Sequence, residues 1–231
     1  MLGTPLAAQE EGGRLQALEI RGAMGSADDR AAALARRVDS LVTRALVAEG
    51  PDARKALALR ADSVARFLAA VRPDHAESHF WTAVTAGTLA DHAGARAKIA
   101  LGRRAYEEAA RALALDSLPA GANHVVGRIH AGVMRLGWFT RLVAGRIGLG
   151  ELLGEASWES AVRHLEKGAE LEPDRATYRL ELALALRDTG DTSGARRELE
   201  AVLALPPDDE LTRYEQARAR EALRELSPEG P

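Results

Sequence analysis

Residues 182–207 read LALALRDTGDTSGARRELEAVLALPP, and the spacing within this stretch decides the fold. Two small residues, Ala183 and Ala195, lie 12 positions apart, and Pro207 follows Ala195 by another 12. Gly190 separates two segments in which apolar residues recur at helical spacing. The pattern predicts two helices joined by a short turn, with small residues at the point where the helices approach each other closely.

The same spacing recurs elsewhere in the chain. An upstream set of residues repeats the intervals of Ala195, Leu199, Val202 and Pro207, namely Ala161, Leu165, Gly168 and Pro173. A second interval, of 10 residues, separates a helix-ending residue from the next small residue at four places: Pro73 to Ala83, Ser117 to Gly127, Pro173 to Ala183 and Pro207 to Ala217. Recurrence at fixed intervals predicts a repeat architecture.

These intervals resemble the tetratricopeptide repeat, a helix-turn-helix unit of about 34 residues. Ala83 and Gly127 are 44 residues apart and Gly127 and Ala183 are 56 apart, so two units carry insertions between their helices. No segment shows the alternation of a strand. The predicted fold class is therefore all α, a tetratricopeptide-like α-solenoid of antiparallel helix pairs with a C-terminal cap helix. The predicted helices cover residues 31–49, 52–72, 75–91, 96–115, 121–136, 156–171, 175–189, 192–204 and, for the cap, 209–226.

The chain is predicted to form one helical-repeat domain over residues 28–226. Residues 227–231 are predicted to be a disordered tail. Residues 1–27 are rich in Gly, Ala and Glu without firm periodicity, which predicts a flexible N-terminal segment. Within it, residues 2–9 resemble the end of a signal peptide. An ordinary N-terminus, a signal-peptide remnant and a native start upstream of Met1 all stay open.

Composition excludes several function classes. A net charge of −3 argues against a nucleic-acid partner, since phosphate binding normally requires a basic surface. The absence of cysteine excludes disulfides, thiolate metal sites and cysteine nucleophiles. No run approaches the roughly 20 apolar residues of a transmembrane segment, so we expect a soluble protein, either cytoplasmic or exported to the periplasm. Arginine outnumbers lysine 28 to 3, as in proteins of GC-rich bacteria.

One segment carries a more specific resemblance, residues 123–174, which contain three elements in order. His124, Gly127 and Arg128 come first, Leu136, Trp138 and Arg141 follow, and Glu170, Leu171 and Pro173 close the segment. Over about residues 55–226 the chain resembles the regulator of microtubule dynamics family, as a bacterial-type member. The resemblance implies a tetratricopeptide domain. Eukaryotic members are associated with microtubules, or with tethering and lipid exchange between membranes, and carry additional membrane anchors. No such anchor is found in this sequence, so only the groove of the domain is carried over as an expectation.

In tetratricopeptide arrays the concave face is lined by the first helix of each unit. Counting from Gly127 places His124 and Arg128 on this face, together with the equivalent residues of the neighbouring units, Phe80, Val84, Leu180 and Leu184. The predicted groove is an apolar trough with a His–Arg pair at its centre. An arginine fork suits a carboxylate or phosphate, and apolar walls suit an acyl chain or a peptide side chain. A basic and aromatic rim is predicted from Arg135, Trp138, Arg141 and Arg146.

Each of these residues also has a structural interpretation. Arg128 can form an ion pair with a neighbouring helix, and His124 can be a packing contact. Trp138 can fill the space between helices, and Arg141 and Arg146 can lie on a solvated face. The sequence leaves both interpretations open.

No enzyme is predicted, because the chain lacks the common nucleotide-binding, hydrolase and metalloprotease motifs. His75 and His79 lie one helical turn apart without a third ligand at a suitable spacing, so neither a metal nor a cofactor is predicted. The predicted function is a non-catalytic binding or scaffold protein that holds a partner peptide or protein in its concave groove. The alternative is a protein that binds or transfers an anionic lipid in the same groove.

Overall fold

The computed structural model describes residues 26–115, 119–136 and 154–226. Within these ranges all regular secondary structure is α-helical, which confirms the predicted all-α class. None of the described helices is both long and apolar enough to cross a lipid bilayer. We number them in chain order: α1 Ala27–Val47, α2 Pro51–Val71, α3 Ala76–Ala90, α4 Ala95–Ala114, α5 Pro119–Arg135, α6 Trp158–Leu171, α7 Ala176–Thr189, α8 Thr192–Ala204 and α9 Glu210–Glu225.

The helix boundaries lie close to the predicted ones, and the largest difference is at the start of α1. This helix begins at Ala27 rather than at residue 31, because a capping box precedes the apolar periodicity by one turn. The Ser26 hydroxyl accepts a hydrogen bond from the Asp29 backbone N–H, and the Asp29 carboxylate accepts one from the Ser26 backbone N–H. The predicted break between α1 and α2 is confirmed at Gly50, whose φ of 85° suits glycine.

Each helix packs against the next along the chain. The odd-numbered helices also contact one another in sequence, from α1 to α3, α5, α7 and α9, and α9 returns to contact α1. We call these five helices the odd-helix layer. Because α9 contacts α1, residues that are distant in the sequence lie close together in this layer.

The predicted contact between small residues is present where α5 meets α6. A Cβ atom added to Gly127 would lie 2.6 Å from Cγ of Leu165 and 3.0 Å from the carbonyl oxygen of Ala161. Ala161 and Leu165 are themselves fully buried. Glycine therefore lets α5 approach the backbone of α6 more closely than any other residue would allow.

Candidate functional site

His124 lies on α5 as a buried, neutral imidazole. Its side chain stacks on Tyr178 of α7, with 4.4 Å between ring centroids and 26° between ring planes. The residue is 6% exposed, and its Nδ1 atom has no hydrogen-bond partner among the described residues. Burial, followed by the positive charge of Arg128, lowers the pKa of His124 to about 3. His124 therefore links α5 to α7 by packing rather than by charge.

Arg128 lies one turn further along α5 between two acidic residues. Its Nε atom is 3.7 Å from Oε2 of Glu181 on α7, and its Nη2 atom is 3.9 Å from Oδ2 of Asp91 at the end of α3. The Glu181 carboxylate raises the pKa of Arg128 above its ordinary value. Both distances are longer than the donor–acceptor distance of a hydrogen bond. The guanidinium makes no hydrogen bond to any described residue. Its side chain is 41% exposed, so these donors can be reached from solvent.

Further ion pairs connect Glu181 to charged residues of α9. Nη2 of Arg218 lies 3.5 Å from Oε1 of Glu181, and Nη1 of Arg218 donates to Oε2 of Glu215 at 2.8 Å. The Thr177 hydroxyl donates to the other carboxylate oxygen of Glu215 at 3.1 Å. Although burial opposes ionisation, Arg128 and Arg218 hold the pKa of Glu181 below its ordinary value. Burial raises the pKa of Glu215, which is only 1% exposed.

We call Asp91, Arg128, Glu181, Glu215 and Arg218 the charge cluster. It joins α3, α5, α7 and α9, which are four of the five members of the odd-helix layer. With every carboxyl ionised the cluster holds three negative and two positive charges. An anionic ligand would therefore meet competing carboxylates, whereas a neutral acceptor such as a peptide carbonyl would meet the Arg128 donors without that repulsion.

Arg135, a predicted rim residue near the C-terminal end of α5, connects α5 to α7. Its Nε atom lies 2.6 Å from Oδ2 of Asp188 on α7, and its guanidinium lies 5.8 Å from the ring centroid of Trp158. The other predicted rim residues, Trp138, Arg141 and Arg146, lie outside the described residues.

The four predicted apolar groove residues fall in two separate packing clusters. Phe80 and Val84 pack against a buried cluster on α3, α4 and α5 that includes Val125 and Val126. Leu184 packs against a second cluster, on α7, α8 and α9, and Leu180 is fully buried within it. In this arrangement Leu180 presents no surface to a ligand. Phe80, Val84 and Leu184 are half-buried, so each keeps part of its surface open to solvent.

Other polar groups of the described chain do not assemble into a metal site. His79, one of the two histidines considered for metal binding, places Nδ1 2.6 Å from Oε2 of Glu108. No group of three or more metal-ligating side chains occurs in the part of the chain that the structure describes. A cavity of about 340 Å³ lies between α6, α7 and α8, with Ala169, Leu182 and Leu186 among its lining residues. It includes none of the predicted groove residues.

Comparison with known proteins gives a consistent result. A family model described as regulator of microtubule dynamics protein 1-3 matches residues 6–227. Regulator of microtubule dynamics protein 3 of Xenopus laevis is 27% identical over 174 residues, which cover 75% of this chain and 36% of the relative. The protein of the same name from Rattus norvegicus is 27% identical over 185 residues, which cover 80% of this chain and 38% of the relative. The chain thus spans less than two fifths of the length of these relatives.

Proposed function

The chain belongs to the regulator of microtubule dynamics family, and from this premise we propose that it is a non-catalytic binding protein that holds an extended peptide segment of a partner protein. The matched relatives are named as regulators rather than as enzymes. In this proposal the helices form a tetratricopeptide-type solenoid of antiparallel pairs, α9 caps it, and the odd-helix layer is its concave face. The bacterial-type assignment is part of the same proposal.

The proposal rests mainly on the partners of the Arg128 guanidinium. A guanidinium has five N–H donors, and an arginine–carboxylate pair normally uses several of them at hydrogen-bond distance. Arg128 instead has two carboxylates at 3.7 and 3.9 Å and no hydrogen bond within the described chain. Peptide carbonyls placed beside Arg128 would supply the missing acceptors.

The charge cluster also supports a peptide over an anionic amphiphile. An anionic head group at Arg128 would lie close to Asp91 and Glu181, and both carboxylates would repel it. Leu180, one of the apolar residues predicted to line the groove, is fully buried against neighbouring helices. Native mass spectrometry of the purified protein tests this preference, because a stoichiometric bound lipid would favour the alternative.

We expect Arg128→Gln to weaken peptide binding about tenfold, or about 1.4 kcal/mol. The probe is the tightest peptide selected from a displayed random library, and its Kd is measured by calorimetry. The melting temperature should change little, because Arg128 is 41% exposed and the buried Glu181 keeps Arg218 as a counter-charge at 3.5 Å. Arg103→Gln is the matched control, since this arginine lies on α4 with a 54% exposed side chain and, within the described residues, pairs only with Glu107 at 3.8 Å.

Two results would count against this function. If Arg128→Gln and Arg103→Gln bind the peptide as tightly as the unchanged protein, Arg128 does not contact the ligand. If Arg128→Gln instead lowers the melting temperature strongly, the residue serves as a structural ion pair.

A further inference from the structure

Two consecutive even-numbered helices, α2 and α4, carry most of the large apolar side chains that are exposed in the described part of the chain. Five such residues are exposed there, and four of them lie on α2 or directly after α4, namely Leu59, Phe67, Val71 and Leu115. Phe67 is the most exposed of them, at 59%. The three residues of α2 form a row within an arc of about 120° on the helix. A row of this kind marks an interaction surface rather than the scattered apolar exposure of an ordinary surface.

The exposed charges on the same sides of these helices are mostly positive. On α2 the charged residues exposed beside the apolar row are Asp52, Lys55, Arg60 and Arg66. On α4 an arc of about 80° holds Arg96, Arg103, Glu107 and Arg111, all of them exposed. Six of these eight residues are basic, although the net charge of the whole chain is −3. The adjoining loops add three exposed acids, Glu49, Asp74 and Asp91, but they lie at the helix ends and leave the sides of the helices positive.

Half of the six basic residues have no acidic partner. Lys55, Arg60 and Arg96 form no ion pair with any described residue. The other three pair with acids of their own helix, namely Arg66 with Asp62, Arg103 with Glu107 and Arg111 with Glu108. Nη2 of Arg104 on α4 lies 2.9 Å from Oδ1 of Asp62 on α2, and this ion pair holds the two helices side by side. We call the apolar row Leu59, Phe67 and Val71, together with the six basic residues, the α2–α4 face.

This combination of side chains fits the surface of an anionic lipid bilayer. Apolar side chains enter the boundary between head groups and acyl chains, while the longer lysine and arginine side chains reach the phosphates. A second copy of the chain would bring two positive faces together, which opposes a dimer through this face. A nucleic acid would pair with the basic residues but would leave Leu59 and Val71 in water.

We propose that the α2–α4 face docks the domain on a membrane that contains anionic phospholipid. Leu59 and Phe67 enter the bilayer surface, and Lys55 and Arg60 contact the head groups. The proposal does not depend on peptide binding at Arg128, because α2 and α4 are not members of the odd-helix layer. Either site can therefore fail its test while the other stands.

Co-sedimentation of the full chain with vesicles tests the proposal. The vesicles contain phosphatidylcholine alone or phosphatidylcholine mixed with phosphatidylserine, and we expect binding to the mixture that weakens as salt is added. Lys55→Gln combined with Arg60→Gln should lower the partition coefficient about tenfold, because each basic residue near an anionic surface adds to the attraction. Leu59→Ser combined with Phe67→Ser should also lower it about tenfold, because less apolar surface leaves water.

Two control variants remove the same kinds of side chain elsewhere. Arg220→Gln combined with Arg224→Gln removes two exposed positive charges from α9, and Leu171→Ser removes an exposed leucine at the end of α6. Both controls should bind the vesicles as the unchanged protein does. Circular dichroism spectra of all variants confirm that each remains folded.

A fluorescent label identifies the side of the domain that meets the bilayer. The chain has no cysteine, so Ser63→Cys places a single thiol between Leu59 and Phe67 on α2. An environment-sensitive dye on this thiol should shift its emission to shorter wavelength when the mixed vesicles are added. The same dye on Ser193→Cys, at an exposed position of α8, should not respond.

Three outcomes would overturn the proposal. The first is equal binding to both kinds of vesicle, with no effect of the α2 substitutions. The second is vesicle binding that Arg128→Gln abolishes and the α2 substitutions spare, which would place the lipid at the odd-helix layer. The third is a dye on Ser63→Cys that responds to higher protein concentration but not to vesicles, which would assign the face to a second copy of the chain.

Discussion

Replacement of Gly127 by leucine is expected to lower the free energy of unfolding by about 1–3 kcal/mol through overpacking. A side chain here meets the carbonyl oxygen of Ala161 and the backbone nitrogen of Leu165, each 3.0 Å from the ideal Cβ position. Backbone atoms cannot rotate away as a flexible side chain can, so α5 and α6 must separate. Urea denaturation of both proteins gives the difference, and each kcal/mol should also lower the melting temperature by about 2–4 °C.

Gly132 provides the matched control on the same helix. A Cβ atom at Gly132 has no atom within 4 Å beyond its local neighbours, so alanine fits there without strain. Gly132→Ala is therefore expected to stabilise the protein by about 0.5–1 kcal/mol, because alanine is favoured over glycine inside a helix. A lower free energy of unfolding for Gly127→Leu together with a higher one for Gly132→Ala would support the close α5–α6 contact. An unchanged urea midpoint for Gly127→Leu would contradict it.

Acidification is expected to destabilise the fold through its buried histidines. The pKa of His124 falls from 6.5 to about 3 on folding, mainly because burial disfavours the imidazolium. Below pH 6.5 the His124 imidazole binds a proton in the unfolded chain but stays neutral in the folded chain. Stability is therefore fully present above pH 6.5 and falls by about 1.4 kcal/mol per pH unit as the pH drops toward 3. Burial also lowers the pKa of His130 and His164, which contribute in the same direction.

His124→Phe isolates the contribution of this residue, because phenylalanine keeps a ring against Tyr178 but cannot be protonated. Urea denaturation at pH 7.5, 6.5 and 5.5 should show a smaller loss of stability with acid than in the unchanged protein, by about 1.4 kcal/mol per pH unit below 6.5. Equal slopes for His124→Phe and the unchanged protein would show that His124 titrates freely in the folded state.

The helices could be predicted from the sequence because their signals are local. Gly50 and Pro51 end one helix and begin the next, and Gly190 adopts a φ of 87° at the end of α7. The close contact of Gly127 with α6 was also predictable, since small residues recur at fixed intervals wherever two helices must approach. The largest displacement is at the start of α1, because the Ser26 capping box depends on hydrogen bonds rather than on apolar spacing.

The candidate site was harder to predict because it depends on the rotation of neighbouring helices. Counting from Gly127 places Leu180 and Leu184 on the groove face of the repeat after the His124–Arg128 pair, and the residue that meets Arg128 in the structure is Glu181, next to Leu180. One residue corresponds to about 100° around a helix, so the rotation of α7 decides whether an apolar side chain or a carboxylate lies beside Arg128. The contribution of Arg218 depends further on the packing of α9 against α7, which spacing within a repeat does not reveal.

The central claim, that the odd-helix layer holds a partner peptide at Arg128, is tested most directly by hydrogen exchange. Amide exchange is followed by mass spectrometry with and without the library-selected peptide. The account predicts slower exchange on binding in α3, α5 and α7, the helices that contribute Asp91, Arg128 and Glu181, and no change in α2 or α4. Protection centred on the even-numbered helices, with α5 and α7 unaffected, would contradict it.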